Sequence, residues 1–342
     1  MIKEIQYLRG VACLLVVFTH YRFPYLDQFN GSIGVDIFFV ISGFIIAKSA
    51  DNYINNPNKF IINRLIRIYP IWLILCAVSF ISLIVFSSFD KIYLLESLIL
   101  SPLFIGEFTS TYSEPIIFSG WSLKYEVLFY LLMFVFLKFS KNSYVLKTRI
   151  FLILSLLGVI GLFVDLPNAH LDLLFSSFYL HFAAGVFIQL KYDFIKSKLS
   201  FNKIHLILSS ILIIFVIYLN NDFGYSYIGN AKEFINIDNY GIYRRFFIWG
   251  IPSIIFFIVF TFSNLKDSKF LMFFGNISYS LYLIHTLLIP FAFSNKLIEL
   301  TGFDSVTRYA ITIVISIILS YFSMIYIEKK FSNYLKKLLF KI

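Results

Sequence analysis

Residues 5–21 read IQYLRGVACLLVVFTHY, and the reading of this stretch decides the class of fold. It is about as long and as apolar as a helix must be to cross a hydrocarbon core roughly 30 Å thick. It also carries Arg9 and His20. No small-residue cleavage site accompanies the apolar run, so the stretch is expected to stay in the mature protein as a first membrane span. The rest of the chain continues the pattern. The sequence is 59% hydrophobic and 14% charged, with a mean hydropathy of +0.82. Soluble domains are nearer half apolar and a quarter charged.

Apolar segments recur at 5–21, 33–49, 69–88, 120–138, 149–166, 171–190, 204–220, 243–263, 271–293 and 306–327. The expected fold is therefore all-α, a polytopic membrane protein of about ten transmembrane helices forming one domain over 1–342. With both termini cytoplasmic, 21 of the 29 Lys and Arg fall in inner segments and eight elsewhere, as the positive-inside rule requires. The same dispersal explains the formal charge of +10 without a nucleic-acid partner. The tail after Glu328, KKFSNYLKKLLFKI, gives a basic end (328–342) suited to an anionic leaflet.

Two further segments stand apart. Tyr93–Ile105 is an apolar run too short to span, closed by Pro102, and fits a re-entrant or interfacial piece. The stretch 220–240 is rich in Asn, Gly and Tyr; Tyr225, Tyr227 and Tyr240 are suited to stacking on a sugar, and equally to a plain solvated connection. Cys13 and Cys76 both lie in apolar runs, and neither spacing nor number supports a disulfide framework or a metal site.

A charge near the centre of a span costs about 2.5–3.5 kcal/mol on insertion scales, so each one must face the bundle interior or water. Arg9 and His20 are eleven residues apart, which is about 20° past three full turns with a rise near 16 Å. They share one stripe, Arg9 at the cytoplasmic mouth and His20 in the outer half. Singly, a snorkelling Arg and a hydrogen-bonded interfacial His would explain them. Asp36 opens the second span, where a carboxylate can either orient an imidazole or complement the helix dipole.

In GWSLKYEVLFY (120–130), Trp121 suits an interfacial belt and Ser122 a cap, but Glu126 lies more than a turn inside. In GNISYSLYLIH (275–285), Ser278, Tyr282 and His285 fall at i, i+4 and i+7, one polar stripe, which a structural network inside the bundle would also explain. Arg64 and Arg67, at i and i+3 in FIINRLIRIYPIW (60–72), sit at the cytoplasmic surface. Anionic lipid is one partner for them, and donor phosphates, which guanidinium groups bind bidentately, are another. Arginines inside, with imidazoles and carboxylates in the outer half, suit a reaction that joins two compartments.

On IQYLRGVACLLVVFTH, GVDIFFVISGFII, RLIRIYPIW, GWSLKYEVLFY and SYSLYLIH, in that order, the chain resembles the membrane acyltransferase-3 family. Within it, the similarity is to the exopolysaccharide and O-antigen acetyltransferase branch; Val127 after Glu126 stands where other members have a second Glu. The resemblance implies transfer of an acyl group, acetyl above all, from cytoplasmic acyl-coenzyme A to a sugar hydroxyl of an exported polysaccharide or its lipid-linked precursor, in a bacterial inner membrane. Polysaccharide assembly machinery would be a partner. Acyl-coenzyme A would be a co-substrate, with no permanently bound cofactor and no metal.

On matching positions, the resemblance implies His20 as general base, with Glu126, Asp36 and His285 as further catalytic groups. It implies Arg9, Arg64 and Arg67 on the donor. Trp121, Ser122 and Tyr282 are expected to line the acceptor side. Fourteen residues follow Glu328, so the chain is expected to act without the fused SGNH-type esterase domain of many relatives. Three rivals stay open: an acyl-enzyme relay through Ser122, Tyr282 or a histidine, a transporter or flippase of lipid-linked saccharide, and a non-catalytic scaffold.

Overall fold

A computed structural model describes residues 2–21, 23, 29–86, 91–104, 115–164, 173–219, 245–293 and 302–340. The three loop tyrosines Tyr225, Tyr227 and Tyr240 lie outside the described residues. In chain order the helices are α1 (Lys3–Thr19), α2 (Ile33–Ala50), α3 (Pro57–Phe86), α4 (Lys91–Leu103), α5 (Gly120–Lys138), α6 (Ser143–Phe163), α7 (Phe178–Leu190), α8 (Tyr192–Lys198) and α9 (Lys203–Leu219). A π-helical turn (Phe246–Gly250) leads into α10 (Ile251–Phe262), followed by α11 (Lys269–Ala292) and α12 (Ser305–Ser323). A second π-helical segment (Met324–Phe331) continues into α13 (Ser332–Phe340).

Among the described residues six helices are long and apolar enough to cross a membrane: α2, α3, α5, α6, α11, and α12 with its continuation. Three shorter apolar helices accompany them, α7, α9 and the π-turn with α10. The chain is a multi-pass membrane protein. Helix α12 shows the inverted pattern lipid demands. Thr312, Ser316 and Ser320 are buried, whereas Val314, Ile315, Ile318 and Leu319 are exposed. Its hydroxyls are satisfied within the helix, Ser316 donating to the Thr312 carbonyl at 2.8 Å and Thr312 to that of Arg308 at 2.8 Å.

Helix α3 departs from the sequence reading at its start, and the short run before α5 takes helical form. The basic segment and the third span form one helix from Pro57, with Pro70 inside it; Pro57 suits a first turn, where its missing N–H costs nothing. The short run before α5 is a helix, α4, whose end packs on α3. Trp72 stacks on Phe104 with centroids 5.0 Å apart and donates to the Ser101 carbonyl at 3.2 Å.

The chain forms two compact units, one of Met1–Leu15, Asn30–Ile61 and Tyr125–Gly275, the other of Val16–Phe29, Ile62–Lys124 and Asn276–Ile342. In the first, α2 and α7 cross with their backbones in contact. A Cβ on Gly43 would run into the Phe182 carbonyl, and one on Gly185 would stand 2.7 Å from the Phe44 nitrogen. Without a hydrophobic drive between helices in lipid, such small-residue crossings supply the close packing. Helices α1 and α11 meet in the same way at Gly10, whose Cβ would lie 2.8 Å from the Gly275 nitrogen. Around the α2–α7 crossing, Phe39, Phe178, Phe182 and Tyr125 form a buried aromatic cluster, Phe39 and Phe178 edge to face at 5.2 Å.

Candidate active site

Two histidines 265 residues apart in sequence come together in the second unit. Nε2 of His285, in α11, lies 3.2 Å from Nδ1 of His20, just past the end of α1, and the rings meet edge to face at 4.9 Å. Each Nδ1 also faces a carbonyl one turn back: His20 that of Val16 at 2.8 Å, His285 that of Leu281 at 2.8 Å. A carbonyl only accepts, so the network assigns the ring hydrogen to Nδ1 in both residues. His285 Nε2 then offers a lone pair to the His20 Nδ1–H. The lone pair of His20 resides on Nε2, the atom a base would use. His285 is fully buried and His20 half-buried, so the ring that can meet a substrate is His20. Phe118 packs edge-on against it at 6.0 Å.

A chain of hydroxyls flanks this pair where the first turn of α5 meets α11. Ser122 donates to the Ser119 carbonyl at 3.1 Å. Its single proton is thereby used, and Tyr282 donates to Ser122 Oγ at 2.7 Å. Thr286 donates to the Leu283 carbonyl at 2.9 Å, so Ser119 donates to Thr286 across 2.9 Å. The Tyr282 and His285 rings are 6.1 Å apart. Trp121 and Ser278 are buried. Thus His20, His285, Ser122 and Tyr282 of the expected set are brought together, and Ser119 and Thr286 join them.

The remaining candidates occupy other surroundings. Glu126 accepts from Ser42 at 3.3 Å and from Tyr130, both in the first unit. Asp36 is fully buried. Its Oδ2 accepts from Arg245 Nη2 at 2.8 Å and its Oδ1 stands 3.0 Å from His181 Nε2. The guanidinium also lies over the rings of Trp249 and Phe178, at 4.5 and 5.0 Å. Asp36 lies in the first turn of α2, where it complements the helix dipole. Its carboxylate also joins α2 to α7 and to the residue before the π-turn, and the imidazole beside it is that of His181, 3.0 Å away. Arg9 meets Gln6 Oε1 at 3.2 Å. Arg64 and Arg67 are half-buried, one turn apart on α3, just ahead of Pro70.

His181 and Arg245 were not singled out from the sequence, although the rule that flagged Arg9 and His20 applies to them. Both are titratable groups at or inside apolar segments. Ser119 and Thr286 carried no such signal, since hydroxyls are common inside membrane helices. Among the described residues no group of three or more His, Cys, Asp and Glu could hold a metal ion. Cys13 and Cys76 are buried free thiols.

A multi-pass helical chain with buried titratable side chains has the makings of a membrane enzyme. The acyltransferase domain of the acyltransferase-3 family matches residues 2–325, and the chain belongs to that family. It is similar to the exopolysaccharide production protein ExoZ of Rhizobium meliloti (strain 1021), 33% identical over 102 residues, 29% of this chain and 32% of that protein. It is also similar to BcsY of Komagataeibacter xylinus, a protein named for membrane-bound transacylase activity, with 38% identity over 81 residues, 23% of this chain and 19% of the relative. The matched stretches thus span about a third and a fifth of those relatives' lengths. No solved structure matches the chain.

Proposed function

We propose that this acyltransferase moves an acetyl group from acetyl-coenzyme A onto a sugar hydroxyl of an exported polysaccharide or its lipid-linked precursor, with His20 as the general base. The observation that carries the reading is the His20–His285 contact, which leaves the basic lone pair on Nε2 of the more exposed ring. The ExoZ relative supports the class of acceptor by its name.

In this mechanism the acceptor oxygen attacks the thioester carbonyl carbon as its proton passes to His20 Nε2. The carbon–oxygen bond forms, the carbon–sulfur bond breaks, and the departing coenzyme A thiolate takes the proton back from the imidazolium. A positioned base of this kind contributes about 10²–10⁴ in rate. The Nδ1–H stays shared between the Val16 carbonyl and His285 throughout, so the cation that forms meets two acceptors already in place. Tyr282 and Ser122 line the acceptor side with Trp121. Arg9, Arg64 and Arg67 bind the donor phosphates at the cytoplasmic side of a bacterial inner membrane, in a single ten-span domain with both termini inside. Glu126 and Asp36 hold the helices of the first unit together.

The test is the ester content of surface and secreted polysaccharide, read by proton NMR in a strain lacking the gene and complemented with wild type or His20→Ala at matched membrane abundance. Ester restored by wild type alone supports transfer through His20. Equal restoration by both removes His20 from the mechanism. Acetyl-coenzyme A left unconsumed in membranes that hold acceptor favours a transporter of lipid-linked saccharide.

A further inference from the structure

Pro70 lies inside α3, four residues after Ile66. Proline has no N–H, so the helix cannot donate to the Ile66 carbonyl in the usual i→i−4 manner. A buried carbonyl left in that state needs a partner from elsewhere. Ser332, the first residue of α13, is buried, and its hydroxyl stands 3.3 Å from that same Ile66 oxygen. The hydroxyl is also 3.1 Å from the Ile327 carbonyl, but that oxygen already accepts the backbone N–H of Ser332, the i→i−5 bond of the π-helical segment. The single hydroxyl proton is therefore best spent on Ile66.

Other bonds tie the same region together. Tyr279 of α11 donates to the Ile68 carbonyl at 3.2 Å. Ser280, one residue on, bonds Ser323 at 2.9 Å and also donates to Glu328, in the π-helical segment. The turn of α3 held in this way is the one that carries Arg64 and Arg67. The π-helical register matters to the same end: bonds that step back five residues in place of four shift the angular positions of the side chains that follow, and Ser332 is the residue that follows.

We propose that the C-terminal segment Met324–Phe340 is a positioning element for the two arginines: Ser332 supplies the hydrogen bond that Pro70 withholds from Ile66, and thereby holds the turn bearing Arg64 and Arg67 in its donor-binding geometry. This rests on the reading of that pair as the donor site. Lys329, Lys330, Lys336 and Lys337 follow on the same segment and add positive charge on the side from which a polyanionic coenzyme A ester would approach.

The experiment is a background swap in the full chain reconstituted in nanodiscs. Ser332→Ala is made in the native protein and in Pro70→Ala, where residue 70 regains an N–H for Ile66. Acetyl-coenzyme A affinity is measured by calorimetry, and amide exchange over residues 64–68 by mass spectrometry. The expected result is about a three- to tenfold loss of affinity and faster exchange from Ser332→Ala in the native background, with neither in the Pro70→Ala background. An equal effect in both backgrounds, or none in either, overturns the proposal. Arg64→Ala and Arg67→Ala are measured alongside. If they bind acetyl-coenzyme A normally while the exchange still depends on the background, the donor-site reading is what fails, and the positioning role falls with it.

Discussion

Nε2 of His285 accepts from Nδ1–H of His20 across 3.2 Å, although the two residues lie at opposite ends of the sequence, one in α11 and one just past α1. The Val16 carbonyl places the hydrogen on His20 Nδ1, and His285 is a second acceptor for it. Its own Nδ1–H is committed to the Leu281 carbonyl, and the residue is fully buried.

His285→Ala is accordingly expected to lower kcat by about ten- to a hundredfold, as losses of orienting partners of a functional imidazole do, while donor KM stays unchanged. Initial rates of coenzyme A release in isolated membranes check this. An effect on donor KM alone would place His285 at the donor side instead.

Asp36 has a different expectation. Removing one member of a buried ion pair costs about 3–5 kcal/mol, so Asp36→Ala should reduce the amount of folded protein and its melting midpoint in detergent. Pairing it with Arg245→Leu, which removes the charge left behind, should recover part of the loss. If Asp36→Ala is as abundant and as stable as wild type yet transfers nothing, Asp36 acts in the chemistry and not in the packing.

Gly185→Leu puts a side chain where α7 touches the α2 backbone. The crossing has no flexible neighbour to move aside, and the variant should fail to accumulate in membranes. Leu156→Ile, on the exposed face of α6, should be neutral in the same immunoblot.

Lys3 and Asp267 make an exposed ion pair at 2.8 Å. Its hydrogen bond to Asp267, the largest influence, raises the Lys3 pKa from the usual 10.5. The raised value means that any contribution is present below about pH 10.5 and is lost as pH climbs through the folded-state value. Both side chains are solvent-accessible, and such pairs are worth little. Asp267→Asn should leave melting at neutral pH unchanged, and a measurable drop would show that the pair has a mechanical role between α1 and α11.

Six of the ten expected spans return, among the described residues, as helices long and apolar enough to cross a membrane, because lipid imposes a simple rule of length and polarity; the opening stretch 5–21 forms α1 and is not one of the six. The α2, α5 and α11 boundaries fall within about two residues of the apolar segments that announced them. The run before Pro70 was harder. Hydropathy reads it as a surface piece and a span, whereas the helix ladder runs straight through both. Of the candidate site, His20, His285, Ser122 and Tyr282 were singled out because they are polar groups within apolar runs. Their mutual contacts were not, since a distance between residues 20 and 285 depends on helix packing that no local pattern encodes. His181 shows the limit from the other side: its signal was present in FYLHFAAGV, and only the structure says that it belongs with Asp36.

The ion cluster of α2 and α7 also sets a timetable for biosynthesis. Asp36 and Arg245 are 209 residues apart, and ribosomes add about 5–20 residues per second, so the carboxylate is made roughly 10 to 40 seconds before its guanidinium. Throughout that interval the nascent protein holds an acidic group in the first turn of an apolar helix without the cation that will later compensate it, a burden smaller than the roughly 2.5–3.5 kcal/mol of a charge at a span's centre. The Asp36 cluster becomes complete only when Arg245, just before α10, emerges. Slow elongation or the loss of a membrane insertase would therefore injure this chain chiefly through its second helix.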